Sequence, residues 1–151
     1  MAIQLTWDDL LIQNLAEQDW NRWLRCWSGL VSGKVSPLGM SKFGDWFLRH
    51  PDGSTSELSV LDGTYEKIAA TAGEFSALLN LPEWQEEHLL SWHLLQLHER
   101  HIIPGQGECY AFAPHPLLTG KIEIDHVTVM PIGAWQTMCA QLMIGPGACS
   151  P

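Results

Sequence analysis

Helical spacing governs the N-terminal part of the chain. Thr6 followed by Asp9 makes a capping-box-like start, with aspartate in place of the usual glutamate or glutamine. Asp8 and Asp9 favour the positive end of a helix. Apolar positions then recur at helical intervals to about Val31, with an interruption near Asn14–Glu17. Trp20, Trp23, Leu24 and Trp27 fall at i, i+3, i+4 and i+7, one face of a helix, with Arg22 and Arg25 turned away. Such a stripe is either core or interface, because tryptophan is enriched at interface hot spots. Left exposed, it would make a homodimer the natural assembly.

Ser32 to Gly39 reads as a loop by composition. Three strands follow: Phe43 to Arg49, Ser54 to Leu61, and Thr64 to Ala69. His50-Pro51-Asp52-Gly53 and Asp62-Gly63 supply the turns between them. Thr71 with Glu74 forms a capping box that opens a short helix through Phe75, Leu78 and Leu79. Pro82 suits the first turn of a second helix, predicted over Glu83 to about His101 and ended by Pro104-Gly105-Gln106-Gly107. Cys109 to Ala113 is a fourth strand, left at Pro114 and Pro116 because proline cannot donate to a ladder. Ile122 to Met130 is a fifth, and Ile132 to Met143 a final helix. The sum is an α+β domain with a mainly antiparallel sheet of about five strands, an N-terminal helical segment, two central helices and a C-terminal helix. Residues 1–144 are expected to form a single domain, with 145–151 a flexible tail.

Composition sharpens this picture. With 151 residues, 46% hydrophobic and only 17% charged, the chain can build one core without a metal or disulfide. No apolar run approaches the roughly 18 residues of a membrane span, and the acidic N-terminus is a poor secretory signal. Cys26, Cys109, Cys139 and Cys149 form no CxxC pair. Reduced thiols and a cytoplasmic location are therefore expected, with Cys26 and Cys139 in the core. The net charge of -9 is concentrated between Asp52 and Asp125, where twelve carboxylates face Lys67, Arg100 and Lys121. That segment would repel phosphate backbones and attract a basic protein.

The chemistry-bearing residues specify no reaction. His98 and His101 have the i, i+3 spacing that can serve one metal, but His88 and His93 point elsewhere and His98-Glu99-Arg100-His101 falls one residue short of His-x-x-x-His. A zinc site would need His115, His126 or Cys109. Glu83 and Glu87 share a helical face, whereas the adjacent Glu86 and Glu87 diverge by about 100° and form no acid/base pair. There is no Gly-x-Ser-x-Gly elbow, and Cys109 with His115 lacks supporting context. Pro104-Gly105-Gln106-Gly107 lacks the phosphate-loop lysine and the dinucleotide spacing. No cofactor, metal or catalytic residue is assigned.

Several stretches carry a family resemblance: Phe43-Gly44-Asp45-Trp46-Phe47-Leu48, Leu61-Asp62-Gly63-Thr64 through Ile68-Ala69, and Glu74-Phe75-Ser76-Ala77-Leu78-Leu79. Pro104-Gly105-Gln106-Gly107-Glu108-Cys109-Tyr110-Ala111-Phe112 and the Val127-to-Leu142 strand and helix complete it. Over roughly residues 40–142 the chain resembles the domains named after type VI secretion immunity proteins. This bacterial family is described as guarding against a DNase effector and is often paired with a GAD-like domain. Where the family shows a glycine pair after the Tyr-Ala-Phe strand, this chain reads His115-Pro116-Leu117-Leu118-Thr119-Gly120. The resemblance implies a non-catalytic module that binds and neutralises a toxin. Acidity fits a basic toxin through electrostatic steering. Exposed acids beside aromatics are the expected contacts: Glu83, Trp84, Glu86 and Glu87, with Tyr110 and His115 near the distinctive loop. The alternatives are an adaptor of the same fold without a toxin, and a histidine-based metal-binding protein or enzyme. Neither nucleic acid nor membrane is an expected partner.

Overall fold

The computed structural model describes residues 4–149. Thr6 opens the first turn as expected, its N–H donating to the Asp9 carboxylate at 2.8 Å. The turn is brief: α1 (Trp7–Leu10) gives way to a two-residue strand, β1 (Leu11–Ile12). The interruption predicted near Asn14–Glu17 is thus real, and helix resumes as α2 (Glu17–Leu24), tightening into a 3-10 turn at Arg25–Trp27. Trp27 is fully buried, and Trp20, Trp23 and Leu24 pack half-buried against the core. The tryptophan stripe therefore faces inward, and the exposure that would call for a homodimer there is not found.

Four further strands extend the sheet: β2 (Ser36–Ser41), β3 (Trp46–Arg49), β4 (Thr55–Ser59) and β5 (Thr64–Ala69). Every pairing is antiparallel, in the order β1-β2-β3-β4-β5. β2 lies where a loop was expected. Its Pro37 escapes the usual penalty because β1 pairs only with Ser41 and Met40, leaving the proline end at an open edge beside a register shift.

Three helices follow: α3 (Ala72–Leu79), α4 (Pro82–Leu89) and α5 (Ser91–Glu99). The single helix predicted from Glu83 to His101 is two helices, broken at Leu90 in the left-handed region with φ 55°. The Glu86 carboxylate supports the break by accepting from the N–H of Trp92 at 2.7 Å and the hydroxyl of Ser91 at 3.3 Å. The last strands, β6 (Glu108–Phe112) and β7 (Val127–Pro131), form their own two-stranded sheet rather than extending the first. Tyr110 N–H donates to the Lys42 carbonyl at 2.8 Å, tying the hairpin to the β2–β3 turn. Between β6 and β7 lie a short α6 (Pro116–Thr119) and a 3-10 turn at Ile124–His126; α7 (Ile132–Met143) closes the fold where expected. The architecture is α+β.

Strand alternation gives the five-stranded sheet two covered faces. Register places Met40, Trp46 and Leu58 together on one face, and α7 covers it. There the Gln136 carbonyl accepts from the indole N–H groups of Trp27 at 2.8 Å and Trp46 at 2.9 Å, while its amide donates to the Gly44 carbonyl at 2.8 Å. Trp135 donates its indole N–H to the Phe43 carbonyl at 2.8 Å. Gly44 is required at this contact. Its φ is +97°, and a Cβ there would stand 2.8 Å from Trp135 Cδ1 and 3.0 Å from Gln136 Nε2. The opposite face belongs to α3 and α4, with Phe47 packed on Phe75 and Trp84, each at 5.6 Å between ring centroids.

Two cysteines depart from expectation. Cys109 and Cys139 are buried free thiols, but Cys26 and Cys149 form a disulfide across 123 residues. The segment after α7 was expected to be loose; as far as Cys149 it is tied back to the 3-10 turn, and the remainder of that expected tail lies outside the described residues.

Candidate partner-binding surface

The expected contacts divide sharply by exposure. Glu83 and Glu87 lie exposed on α4, one turn apart. Glu86 is half-buried and engaged in capping α5; it also lines a cleft of about 410 Å³ with Leu5, Leu10, Trp92 and Leu95. The other three are core residues, a correction to the expectation. Trp84 is held by Phe47, Phe75 and a stacked His88 ring at 4.5 Å. Tyr110 is fully buried, with its ring on Phe43 and its hydroxyl donating to the Ile102 carbonyl at 2.6 Å. His115 is 7% exposed. Its Nε2–H donates to the Val60 carbonyl at 3.2 Å, and its Nδ1 accepts from Leu117 N–H at 3.0 Å, which fixes a neutral tautomer capping α6. Burial keeps its pKa below the ordinary histidine value. The α4 acids and His115 are not brought together. α4 covers the Phe47 face of the sheet, whereas His115 rests on Trp135 of α7, which serves the other.

The remaining histidines scatter. His88 Nδ1 meets both Glu57 oxygens at 3.0 and 3.1 Å, and His98 approaches Asp9 at 3.9 Å. Among the described residues no group of three or more His, Cys, Asp or Glu side chains is placed to hold a metal ion. Two carboxyls have unusual surroundings. Burial, then the nearby Glu57, pushes Asp45 up to about 8, while its Oδ1 accepts from Val60 N–H at 2.8 Å. Burial, with Asp62, Glu66 and Glu87 nearby, pushes Glu57 up to about 7. One pairing escaped the sequence: His50 Nε2 lies 3.0 Å from Ser56 Oγ and 2.9 Å from the Tyr65 hydroxyl. It has a nucleophile–base distance, but Ser56 is buried in the sheet. None of these groups lines the main clefts among the described residues.

A better candidate lies where α6 leans over α7. A groove of about 490 Å³ runs between them, lined by Phe112, Pro114, His115, Leu118, Trp135, Met138 and Leu142 among others. Neither α6 nor α7 contains a charged residue. Yet Leu117, Leu118, Met138 and Leu142 are exposed, Leu118 by 68%. The cause is local. After the Ala113–Pro114 peptide the chain re-enters as a single turn capped by His115, too short to bury both of its leucines. Large exposed apolar groups gathered in a concavity are the usual mark of a binding surface. Nothing in the helical spacing of α7 alone disclosed it, since the opposing wall is the α6 turn, which the sequence marks only as an irregular His115–Gly120 loop.

No family model matches this chain, and no curated protein is similar to it in sequence. Among solved structures, the crystal structure of Atu4351 from Agrobacterium tumefaciens is similar, with a TM-score of 0.52 at 16% identity. The match covers 83% of this chain and 63% of that one, so the chain spans less than two thirds of that protein. At that identity the likeness concerns the fold. No helix among the described residues is long and apolar enough to cross a membrane.

Proposed function

We propose that the chain is a non-catalytic protein-binding module of the immunity type, which binds and neutralises a basic toxin. The observation that carries this reading is the uncharged, apolar α6–α7 face on a chain of net charge -9. Acidic surroundings steer a cationic protein inward, and an apolar patch then holds it. Glu83 and Glu87 belong to the steering charge; Trp84, Tyr110 and His115 act beneath the surface. The resemblance to type VI secretion immunity domains supplies the toxin part of the proposal. A cytoplasmic location, the other part of the sequence expectation, stands against the Cys26–Cys149 disulfide, since such bonds persist in oxidising compartments.

Co-expression with each neighbouring gene tests the proposal. A neighbour that arrests growth alone, is tolerated beside this chain and co-purifies with it would support the immunity reading. Absence of any toxic neighbour would replace it with the adaptor of the same fold. Trapping thiols in intact cells before lysis would show whether Cys26 is oxidised there.

A further inference from the structure

The α6–α7 groove has features that narrow its occupant. Trp135, Met138 and Leu142 stand at i, i+3 and i+7 on α7 and form one wall over about two helical turns. Leu118 forms the other. No lysine, arginine or ionised carboxylate lines the space, and His115, with Nδ1 accepting and Nε2 donating, contributes no charge. Apart from Gln141 and His115 the lining is apolar, so the space favours aliphatic or aromatic side chains.

One end of the groove is negative. The β4–β5 turn abuts Met143: a Cβ on Gly63 would lie 2.8 Å from the Met143 sulfur. This contact sets the exposed Asp62 beside the C-terminal end of α7, two residues from Val60, whose carbonyl accepts from the groove-lining His115 at 3.2 Å. A helix C-terminus carries partial negative charge of its own. A second copy of this chain is a poor occupant. Two bodies of net charge -9 each repel, which a basic partner does not.

We infer that the α6–α7 groove receives an amphipathic helix of the partner, its apolar stripe seated between Leu118 and Met138 and its lysine or arginine flank set toward Asp62. The inference rests on the protein-binding reading above and names the surface and the chemistry of its partner. Two-turn grooves of this kind take anchors at i, i+4 and i+7 from the incoming helix.

The test uses the intact chain and a labelled helical peptide bearing leucine at i, i+4 and i+7 and lysine elsewhere, beside a matched peptide with glutamate replacing lysine. Fluorescence anisotropy should show the lysine peptide binding at least tenfold more tightly, with affinity falling as salt is raised. Leu118→Asp and Met138→Asp, both at exposed positions, should each weaken it at least tenfold with an unchanged circular dichroism spectrum. Asp62→Lys should erase the preference for lysine over glutamate. Equal binding of both peptides, or lysine-peptide binding that survives the groove variants, would overturn the inference; so would no binding at all. A dimer that sediments as monomer after Leu118→Asp would give the groove to a second copy. Peptide binding without any toxic neighbour would remove the toxin and leave the groove assignment standing; rescue from a toxin by a chain with Leu118→Asp would do the reverse.

Discussion

Gln136 and Met138 stand two residues apart on α7 under opposite conditions. Gln136 is a polar side chain sealed from water, with its carbonyl and amide engaged by Trp27, Trp46 and Gly44. Met138 is an apolar side chain left 50% exposed. The inward side spends its polar atoms on fixing which segments meet, because an amide satisfied at both ends tolerates no other arrangement. The outward side leaves apolar surface unburied, which contributes nothing to the isolated fold and becomes favourable only when something covers it. One helix thus carries a buried polar side that specifies the fold and an apolar side left open to solvent.

The largest effect should come from breaking the inward side. Gln136→Leu leaves two indole N–H groups and the Gly44 carbonyl buried without partners, at about 1–3 kcal/mol each. The loss should reach ~3–9 kcal/mol, and melting should shift down by at least roughly 6 °C at about 2–4 °C per kcal/mol. A loss below ~1 kcal/mol would mean the three groups find water or each other instead. Met138→Gln, on the outward side, should change stability by no more than about 0.5 kcal/mol. Thermal denaturation of both variants measures the contrast directly.

A second asymmetry concerns protons. Asp45 sits in the fold at about 8 against an ordinary value of 3.8, so its folded value is the raised one. Stability tied to its proton is complete below about 3.8 and is lost as pH rises through about 8. Glu57, raised to about 7, acts in the same direction. Asp45→Asn should therefore match the parent in acid and exceed it in melting temperature near pH 9, flattening the alkaline decline. Identical pH profiles for the two proteins would rule out this role. His115 works oppositely. Its lowered pKa gives stability that is present above the ordinary 6.5 and lost as pH falls through the folded value. His115→Gln should give the smaller of the two pH effects, a shallower loss between pH 7 and 5 in the same melting series.

Much of the fold was legible in the sequence, and the failures have physical causes. β5 and α7 lie where alternation and helical spacing put them, because each segment carries its period without competing turn residues. β2 was hidden because Ser-Pro-Leu-Gly is loop-like until one sees that its proline sits at an open edge. The break at Leu90 has no sequence signature; it depends on a carboxylate four residues upstream reaching across to the next helix. The candidate contacts suffered from a different ambiguity. Tryptophan, tyrosine and histidine serve cores and interfaces alike, so Trp84, Tyr110 and His115, expected on the surface, lie in the core. The groove itself is a product of tertiary packing between residues 112–118 and 135–142, which no local pattern joins.

The Cys26–Cys149 bond makes residues 26–149 a covalent ring that contains the whole five-stranded sheet except β1. A protease that cuts one loop inside that ring opens it without separating its pieces. The nicked chain would run as an intact species on a denaturing gel until reductant was added, and only then resolve into fragments. Proteolytic maps of this protein taken with and without reductant should therefore differ, and the difference marks which loops were open to attack in the folded state.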